Sequence, residues 1–490
     1  MPHRNVLMLC FAIVFSLSCW AARDHSTHGR RFGDILGRIS ATYITPVDEE
    51  LLFESAVDGM LEKLDGYSRY VRPSEGRAVD AALAQEFGGV GIELIPAPPG
   101  VYPIVKLTRP DSPAMRAGIL SGDRILSVDG RATRGLAIGE TIDLLRGEAG
   151  STVRVAVLGR GADSSVAAVR SVDIVRETLR IESVLGDRRL PSGAWDFRLQ
   201  GRPSIGFLRV TNFGERTADE VRSAIESLDR GSESSGPIEA LVIDLRGNPG
   251  GLVSAAVAVC DLFVGDVDTS ASGTTRLKAE SDLIVSTRGR DGWSGRSIVE
   301  RRLAVAGDLV PGMPLAVLVD GGTASAAEIM AACLQDHGRA SIIGGRTFGK
   351  GTVQQLMNLE SGGILKLTTS QYFTPSGRPI HRPDGDGIHA GSPLNGNRQE
   401  SLEWGVTPDP GCVVEPQRDA LVRLAIWRER RDRPEGISSN EMADISQTAG
   451  FQGDASAAEL PEQVDSVLAR AISVVISKSG RIVQRSGDHD

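Results

Sequence analysis

Apolar and polar residues recur along this chain with two different periods, and the change between them divides it. From 33 to 86 the period is helical. Leu36, Ile39 and Tyr43 fall three or four positions apart, and Asp48-Glu49-Glu50 opens a segment with Leu51, Leu52, Ala56, Met60 and Leu61 on one side. Residues 66–71 interrupt it, and Pro73 starts a further short helix. From Phe87 the period shortens, and 88–94 and 102–107 predict strands joined by a Pro/Gly turn at 96–100. A helix over 138–145 and a strand over 153–158 follow. Beyond 185, strands at 205–210, 240–245, 315–319, 341–343 and 364–369 intersperse with helices at 217–228 and 254–263. That rhythm predicts an α/β layer with a largely parallel sheet. The polar, glycine-rich 266–312 reads as an insertion loop. After Pro410 come a charged helix at 417–433, a Ser/Glu/Ala-rich stretch and a short apolar helix at 464–475.

Length and composition narrow this to a multidomain α/β protein. At 490 residues the chain exceeds one ordinary core, so about two to four domains are expected. A net charge of −9 and the lack of a basic stripe argue against a nucleic-acid partner. Five cysteines, at 10, 19, 260, 333 and 412, form neither a disulfide framework nor a zinc pattern. Cys260 and Cys333 fall in predicted helices and read as small buried apolar residues. The N-terminus pairs a basic start with an apolar run from Val6 to Leu17 and then small residues, as a secretory signal peptide does. Residues 1–22 are therefore read as a signal peptide or an uncleaved membrane anchor, placing the rest of the chain outside the cytoplasm.

Two glycine-edged stretches carry the candidate chemistry. Ser325 lies in Asp320-Gly321-Gly322-Thr323-Ala324-Ser325-Ala326-Ala327-Glu328, after an apolar strand and at the expected start of a helix. Lys350 lies in Thr347-Phe348-Gly349-Lys350-Gly351. A hydroxyl at a helix N-terminus has backbone N–H groups beside it to hold an oxyanion. The pair points to a serine nucleophile with a lysine base. Gly250-Gly251, after the 240–245 strand, supplies a loop whose N–H groups no side chain shields. Ala326 and this loop are thus the candidate oxyanion donors. A lysine with the ordinary pKa of about 10.4 must be desolvated to act as base, and lowering it by about three units costs roughly 4 kcal/mol. Gln354, four residues on, is placed to orient the amine without adding charge. His337 sits about three helical turns from Ser325, roughly 18 Å along the axis, too far to serve. His381 and His389 lie in a Pro/Gly/Asp-rich loop and leave a Ser-His-Asp arrangement open. No metal-ligand spacing or phosphate loop is present.

The succession Ser112-Pro113-Ala114, Ala117-Gly118, Gly122-Asp123, Ile125 and Val128-Asp129-Gly130 resembles a PDZ domain of the bacterial protease type over 88–178. That resemblance implies capture of a peptide C-terminal carboxylate by the backbone of Gly89, Val90, Gly91 and Ile92, the peptide adding as an edge strand. Arg146, at the end of the 138–145 helix, reads as a solvated helix-end arginine, with sensing of that peptide as the alternative. With Asp65-Gly66-Tyr67-Ser68-Arg69-Tyr70, Asp244-Leu245-Arg246-Gly247-Asn248-Pro249-Gly250-Gly251, Gln335-Asp336-His337-Gly338-Arg339-Ala340 and Tyr372-Phe373-Thr374-Pro375-Ser376-Gly377 added, residues 33–410 are similar to the carboxyl-terminal processing proteases. These are tail-specific serine peptidases with an embedded PDZ domain. The resemblance implies a crotonase-like (ββα-type) serine peptidase core at 185–415, an inserted PDZ domain at 88–178, an N-terminal helical region at 33–86 and a helical tail at 416–490. It makes Ser325 nucleophile, Lys350 base and Gln354 the residue orienting the lysine, with Glu328, Asp336 and Thr347 in support. No cofactor or metal is implied, and the partners are unfolded or tagged proteins with free C-termini. Asp320, Thr323 and Gly247 replace the commoner Asn, Ser and Asn, which bears on substrate preference. A non-catalytic PDZ adaptor and, by fold analogy alone, an acyl-CoA enzyme are the rival readings.

Overall fold

The computed structural model describes residues 27–487 apart from 77–84, 96–100, 110, 160–168, 191, 231–235, 266–281, 292–293, 306, 361, 383–403 and 433–458. The leader at 1–22, the first part of the 266–312 segment and His389 lie outside the described residues. Among the described residues no helix is long and apolar enough to cross a membrane.

The chain divides into two compact units. In the smaller, made by residues up to 73 and 355–367, two helices span Thr27–Thr42 and Glu49–Leu61. The second begins where Asp48 accepts the N–H groups of Glu50 and Leu51 at 3.0 and 3.2 Å, as an N-cap should. Asp65 takes the N–H groups of Tyr67 and Ser68, both at 2.7 Å, and shapes the turn into the strand Arg69–Val71. That strand pairs antiparallel with residues 364–366.

The larger unit contains a sheet in which Arg202–Val210, Ala240–Asp244, Leu315–Val319 and Ala340–Gly344 lie side by side and parallel. The last three are buried at every residue, so they read as continuous apolar runs rather than alternating ones. Leu241, Ile243 and Val317 face the helices Thr217–Arg230, Val253–Cys260 and Ala326–Asp336 through Val221, Ile225 and Ile329. The opposite face, with Phe207, Val242, Leu318 and Ile343, is covered by Val467, Leu468, Ile472 and Val475. These belong to the helix Ser466–Gly487, which runs well past the short element expected at 464–475. At about 1.5–3 kcal/mol per fully buried aliphatic side chain, this tail is a structural layer of the core.

One expectation fails. The segment read as an insertion loop contains an antiparallel hairpin, Leu283–Arg290 with Ser297–Leu303, and Ser286 to Gly289 pair further with residues 370–373. Every residue of Ser297–Leu303 is exposed, so no burial pattern announces the strand in the sequence.

A second sheet of the larger unit runs Ile92–Ile95, Ile104–Thr108, Arg124–Val128, Thr152–Leu158 and Val169–Val175, all antiparallel. It packs with the helices Pro113–Arg116 and Ile138–Leu145 around Val105, Ile119, Ile125, Val153 and Val155. Glu86–Gly89 and Glu177–Arg180 pair with each other, so the chain enters and leaves this domain side by side.

The tail is also tied in by charge. Arg246 donates to Asp244 and Asp465, each at 2.7 Å, and Arg428 donates to the same carboxylates at 2.9 and 3.2 Å. Burial alone would push the Asp244 and Asp465 carboxyls up, but the guanidiniums beside them hold Asp244 well below the usual range and lower Asp465 as well. Carboxyls depressed in the folded state stabilise it fully above the unfolded pKa of about 3.9, and the gain is lost as pH falls through their folded values. Asp465→Ala leaves two largely buried guanidiniums sharing Asp244 alone and is expected to cost on the order of 3 kcal/mol in urea melts at pH 7. The gap to wild type should shrink below about pH 4, and a gap unchanged with pH would contradict this.

Candidate active site

Ser325 stands where the Leu315–Val319 strand has ended and the helix Ala326–Asp336 begins. Its φ of 56° and ψ of −118° are unusual for a residue with a side chain. Such a conformation costs on the order of 1–3 kcal/mol and persists only where its surroundings impose it. Those surroundings are identifiable. Ala324 N–H donates to Asn248 O at 2.9 Å, and Asp320 accepts the N–H groups of Gly247 and Gly322, each at 2.9 Å. Thr323 donates its hydroxyl to Leu245 O at 2.9 Å. The three departures from the family pattern, at 247, 320 and 323, are therefore neighbours that clamp the serine turn to the 246–251 loop.

Within that loop Asn248 is fully buried. Its side chain donates to Val210 O and accepts the Gly250 N–H, both at 2.8 Å. Gly250 N–H is thus committed inside the loop, and the residue's contribution is steric. At a φ of 101°, a Cβ there would lie 2.8 Å from Ala324 O and 2.8 Å from Ser325 Cβ. Gly251 differs. Phe213 N–H bonds Gly250 O at 2.9 Å and Leu252 N–H bonds Phe213 O at 2.7 Å, so Gly251's own N–H points away from Phe213. Ala326 carries one of the N–H groups that an α-helix leaves without an intrahelical partner.

Glu328 joins the serine turn to the lysine loop. Fully buried, it accepts Ser325 N–H at 2.9 Å and Lys350 N–H at 2.8 Å on one oxygen, Oε2. Its other oxygen accepts Gly349 N–H at 2.7 Å and the Thr347 hydroxyl. Burial pushes this carboxyl up, while the four donors favour the carboxylate. Phe348 N–H reaches Thr323 O at 2.9 Å, a second cross-link between the two loops. Thr347 in turn accepts Val406 N–H at 2.7 Å, and Trp404 packs so closely on Gly349 that a Cβ would sit 2.6 Å from its ring. Arg346 and Arg382 stack on Trp404 at 4.9 and 5.0 Å.

The remaining sequence candidates separate. Gln354 donates from its amide nitrogen to Thr352 and Thr368 at 2.9 and 3.3 Å, which fixes the amide plane and turns its oxygen away from the threonines. Asp336 lies at the far end of the serine helix, roughly 15 Å away at 1.5 Å per residue, and accepts Ser376 N–H at 2.9 Å. It braces the turn at 374–377. His337 is engaged by Leu283 O at 2.8 Å and by Cys333. His381 lies against the lysine loop, its N 2.2 Å from where a Gly351 Cβ would be. Tyr372, to which sequence reasoning gave no role, is buried in the same apolar cluster as Ala326, and its N–H donates to Gly351 O at 2.7 Å.

In the antiparallel domain, Val90 O accepts Ala114 N–H and Gly91 O accepts Arg109 N–H, each at 2.9 Å. N–H and C=O point oppositely across a trans peptide, so the N–H groups of Gly91 and Ile92 face away from these partners. Gly91 has a φ of 84° and would drive a Cβ to 2.3 Å from Ser112 Cβ. Gly89 ends the paired strand that leads into this turn. Ile92–Ile95 ends its sheet, beside the helix Ile138–Leu145. Arg146, at that helix's C-terminus, stacks on Phe87 at 5.3 Å.

A strained serine at a helix start, beside a glycine loop, with a PDZ-type domain on the same chain, defines a serine peptidase that handles peptide tails. The comparisons agree. Residues 204–389 match peptidase family S41 and residues 104–158 match a PDZ domain. The carboxy-terminal-processing protease of Bartonella bacilliformis is 35% identical over 77% of this chain and 78% of its own. The carboxyl-terminal-processing protease of a Picosynechococcus species is 33% identical over 67% of this chain and 70% of its own. The chloroplastic C-terminal processing peptidase of Tetradesmus obliquus is 32% identical over 75% and 74%. This chain belongs to the carboxy-terminal processing proteases of peptidase family S41.

Gly250→Ala should cut peptide turnover by about 100-fold or more, the scale of losing an oxyanion donor, because its methyl displaces Ala326 N–H and Ser325 together. Turnover alongside a thermal melt checks this. Near-normal turnover in the folded variant would contradict it.

Proposed function

We propose that this protease works through a Ser325–Lys350 dyad on proteins outside the cytoplasm, with the PDZ domain holding the substrate's C-terminal carboxylate. The observation that carries the reading is the single Glu328 oxygen shared by the backbone N–H groups of Ser325 and Lys350. In the proposed cycle Lys350 Nζ, neutral when it acts, takes the Ser325 proton as Oγ attacks the scissile carbonyl. The resulting oxyanion is held by the N–H groups of Ala326 and Gly251. Collapse expels the C-terminal fragment as an amine, which receives the proton from Lys350. Water, activated by the same lysine, then hydrolyses the acyl-enzyme. Gln354 offers its amide oxygen to the amine, Glu328 and Thr347 position the two loops, and Asp336 braces the 374–377 turn at the far end of the serine helix. The outward N–H groups of Gly91 and Ile92 support carboxylate capture, with the Ile92–Ile95 edge taking the peptide as a strand. The leader at 1–22 is the support for an extracytoplasmic location, and attachment through it is the membrane contact the reading allows.

His381 beside Gly351 gives a histidine base its one structural argument. The dyad is tested on the full chain by cleavage of an unfolded protein with a free apolar C-terminus and by fluorophosphonate labelling of Ser325. Ser325→Ala and Lys350→Ala should abolish cleavage, His381→Ala should keep it within about threefold, and amidating the substrate's C-terminus should raise KM. Near-normal turnover by Lys350→Ala would sink the lysine role. Absence of labelling in the wild type would favour the adaptor reading, and thioester turnover without peptide cleavage the acyl-CoA one.

A further inference from the structure

We propose that Arg346 and Arg382 form a subsite for a substrate carboxylate, selecting an aspartate or glutamate side chain close to the bond that is cut. The inference deepens the reading given above and rests on Ser325 and Lys350 marking the point of cleavage.

Both arginines are built onto the lysine loop. Arg346 opens it, four residues before Lys350. Arg382 N–H donates to Gly349 O at 2.9 Å, and its Cβ lies 2.9 Å from where a Gly349 Cβ would be. Trp404 meets the same glycine, and the two guanidiniums stack on its ring at 4.9 and 5.0 Å. The backbone beside that ring is fixed. Gly405 N–H donates to Ile380 O at 2.8 Å, Val406 N–H donates to the Thr347 hydroxyl at 2.7 Å, and Arg378 donates to Gly405 O at 2.6 Å. The platform is therefore set before anything binds, which spares a ligand much of the ordering cost.

What the platform presents is positive and open. Arg346, Arg382 and Phe348 are exposed, and among the described residues neither guanidinium on Trp404 has a carboxylate partner. The other arginine–tryptophan stacks of this chain are neutralised. Arg189 and Arg209, on Trp195 at 4.2 and 5.3 Å, are paired with Glu182 and Asp432. Arg431, on Trp427 at 4.5 Å, is paired with Asp187. Two cations gathered on one ring repel each other, and an anion set between them relieves that repulsion. At Trp404 a bound substrate can supply it. The anion a polypeptide carries is a carboxylate, which a guanidinium meets with two parallel N–H···O bonds.

The test uses the full chain and matched unfolded peptides with Asp or Asn at each position near the cut, one at a time. At one position kcat/KM should favour Asp by about 10-fold, the scale of a charge-assisted hydrogen bond. Salt at about 1 M should erase most of that preference. In Arg346→Gln/Arg382→Gln the Asp preference should disappear, and Arg346→Glu/Arg382→Glu should favour Lys there instead. Equal use of Asp and Asn at every position, which needs no variant to measure, would overturn the proposal. So would a preference that survives the glutamine pair. The C-terminal carboxylate is the other source of the same chemistry. The penalty for amidating it should be equal in wild type and the glutamine pair, and a penalty lost in the pair would overturn the side-chain assignment. Binding keeps this failure apart from failure of the dyad. Ser325→Ala should hold the Asp peptide about 10-fold tighter than the Asn peptide by fluorescence anisotropy, whichever group is the base. That preference without cleavage by wild type would sink the dyad alone, and cleavage without the preference would sink the subsite alone.

Discussion

The site depends on one buried carboxylate. Glu328 brings no chemistry to a substrate, yet its two oxygens accept four donors from Ser325, Thr347, Gly349 and Lys350. A carboxylate offers about four acceptor positions, so the set is full. Because the group is inaccessible to water, each unmade bond would be costly, and the chain is driven to make all four. That requirement brings together two loops separated in sequence by the Ala340–Gly344 strand. It also helps hold Ser325 at a positive φ it would not adopt alone.

The glycines act on the same geometry from the other side. Gly250 lets the 246–251 loop close on the serine turn, and Gly349 lets Trp404 close on the lysine loop. Asp320 and Thr323 add polar ties from the strand end to Gly247 and Leu245. Behind this lies the Asp244–Arg246–Arg428–Asp465 cluster, which fixes the end of the Ala240–Asp244 strand to the C-terminal helices. The tail is thus tied to the end of the strand that leads into the 246–251 loop.

Much of this was legible in the sequence, and what was missed has physical causes. Buried strands such as Leu315–Val319 announce themselves because continuous apolar runs between glycine turns have few other fates. Helix Ile138–Leu145 was readable to the residue, since its apolar side alternates with polar positions at helical spacing. Strand Ser297–Leu303 was not, because neither of its faces is buried. The burial of Arg428 was equally hidden, since a charge run reads as a solvated helix until its carboxylate partners, far off in sequence, are known. In the site, Ser325 and Lys350 stood out through their glycine settings. The contacts of Trp404 and Val406 with the lysine loop required three-dimensional proximity that no spacing encodes.

The central claim is that the Glu328 carboxylate, by accepting at once from the N–H groups of Ser325 and Lys350, holds the serine turn and the lysine loop in register. The most direct measurement is the rate of fluorophosphonate labelling of Ser325 in Glu328→Gln. The substitution keeps size and removes one acceptor oxygen, setting an amide donor against N–H donors. Labelling about 100-fold or more slower, in a variant that still melts cooperatively, is the result this account predicts. Labelling at the wild-type rate would contradict it.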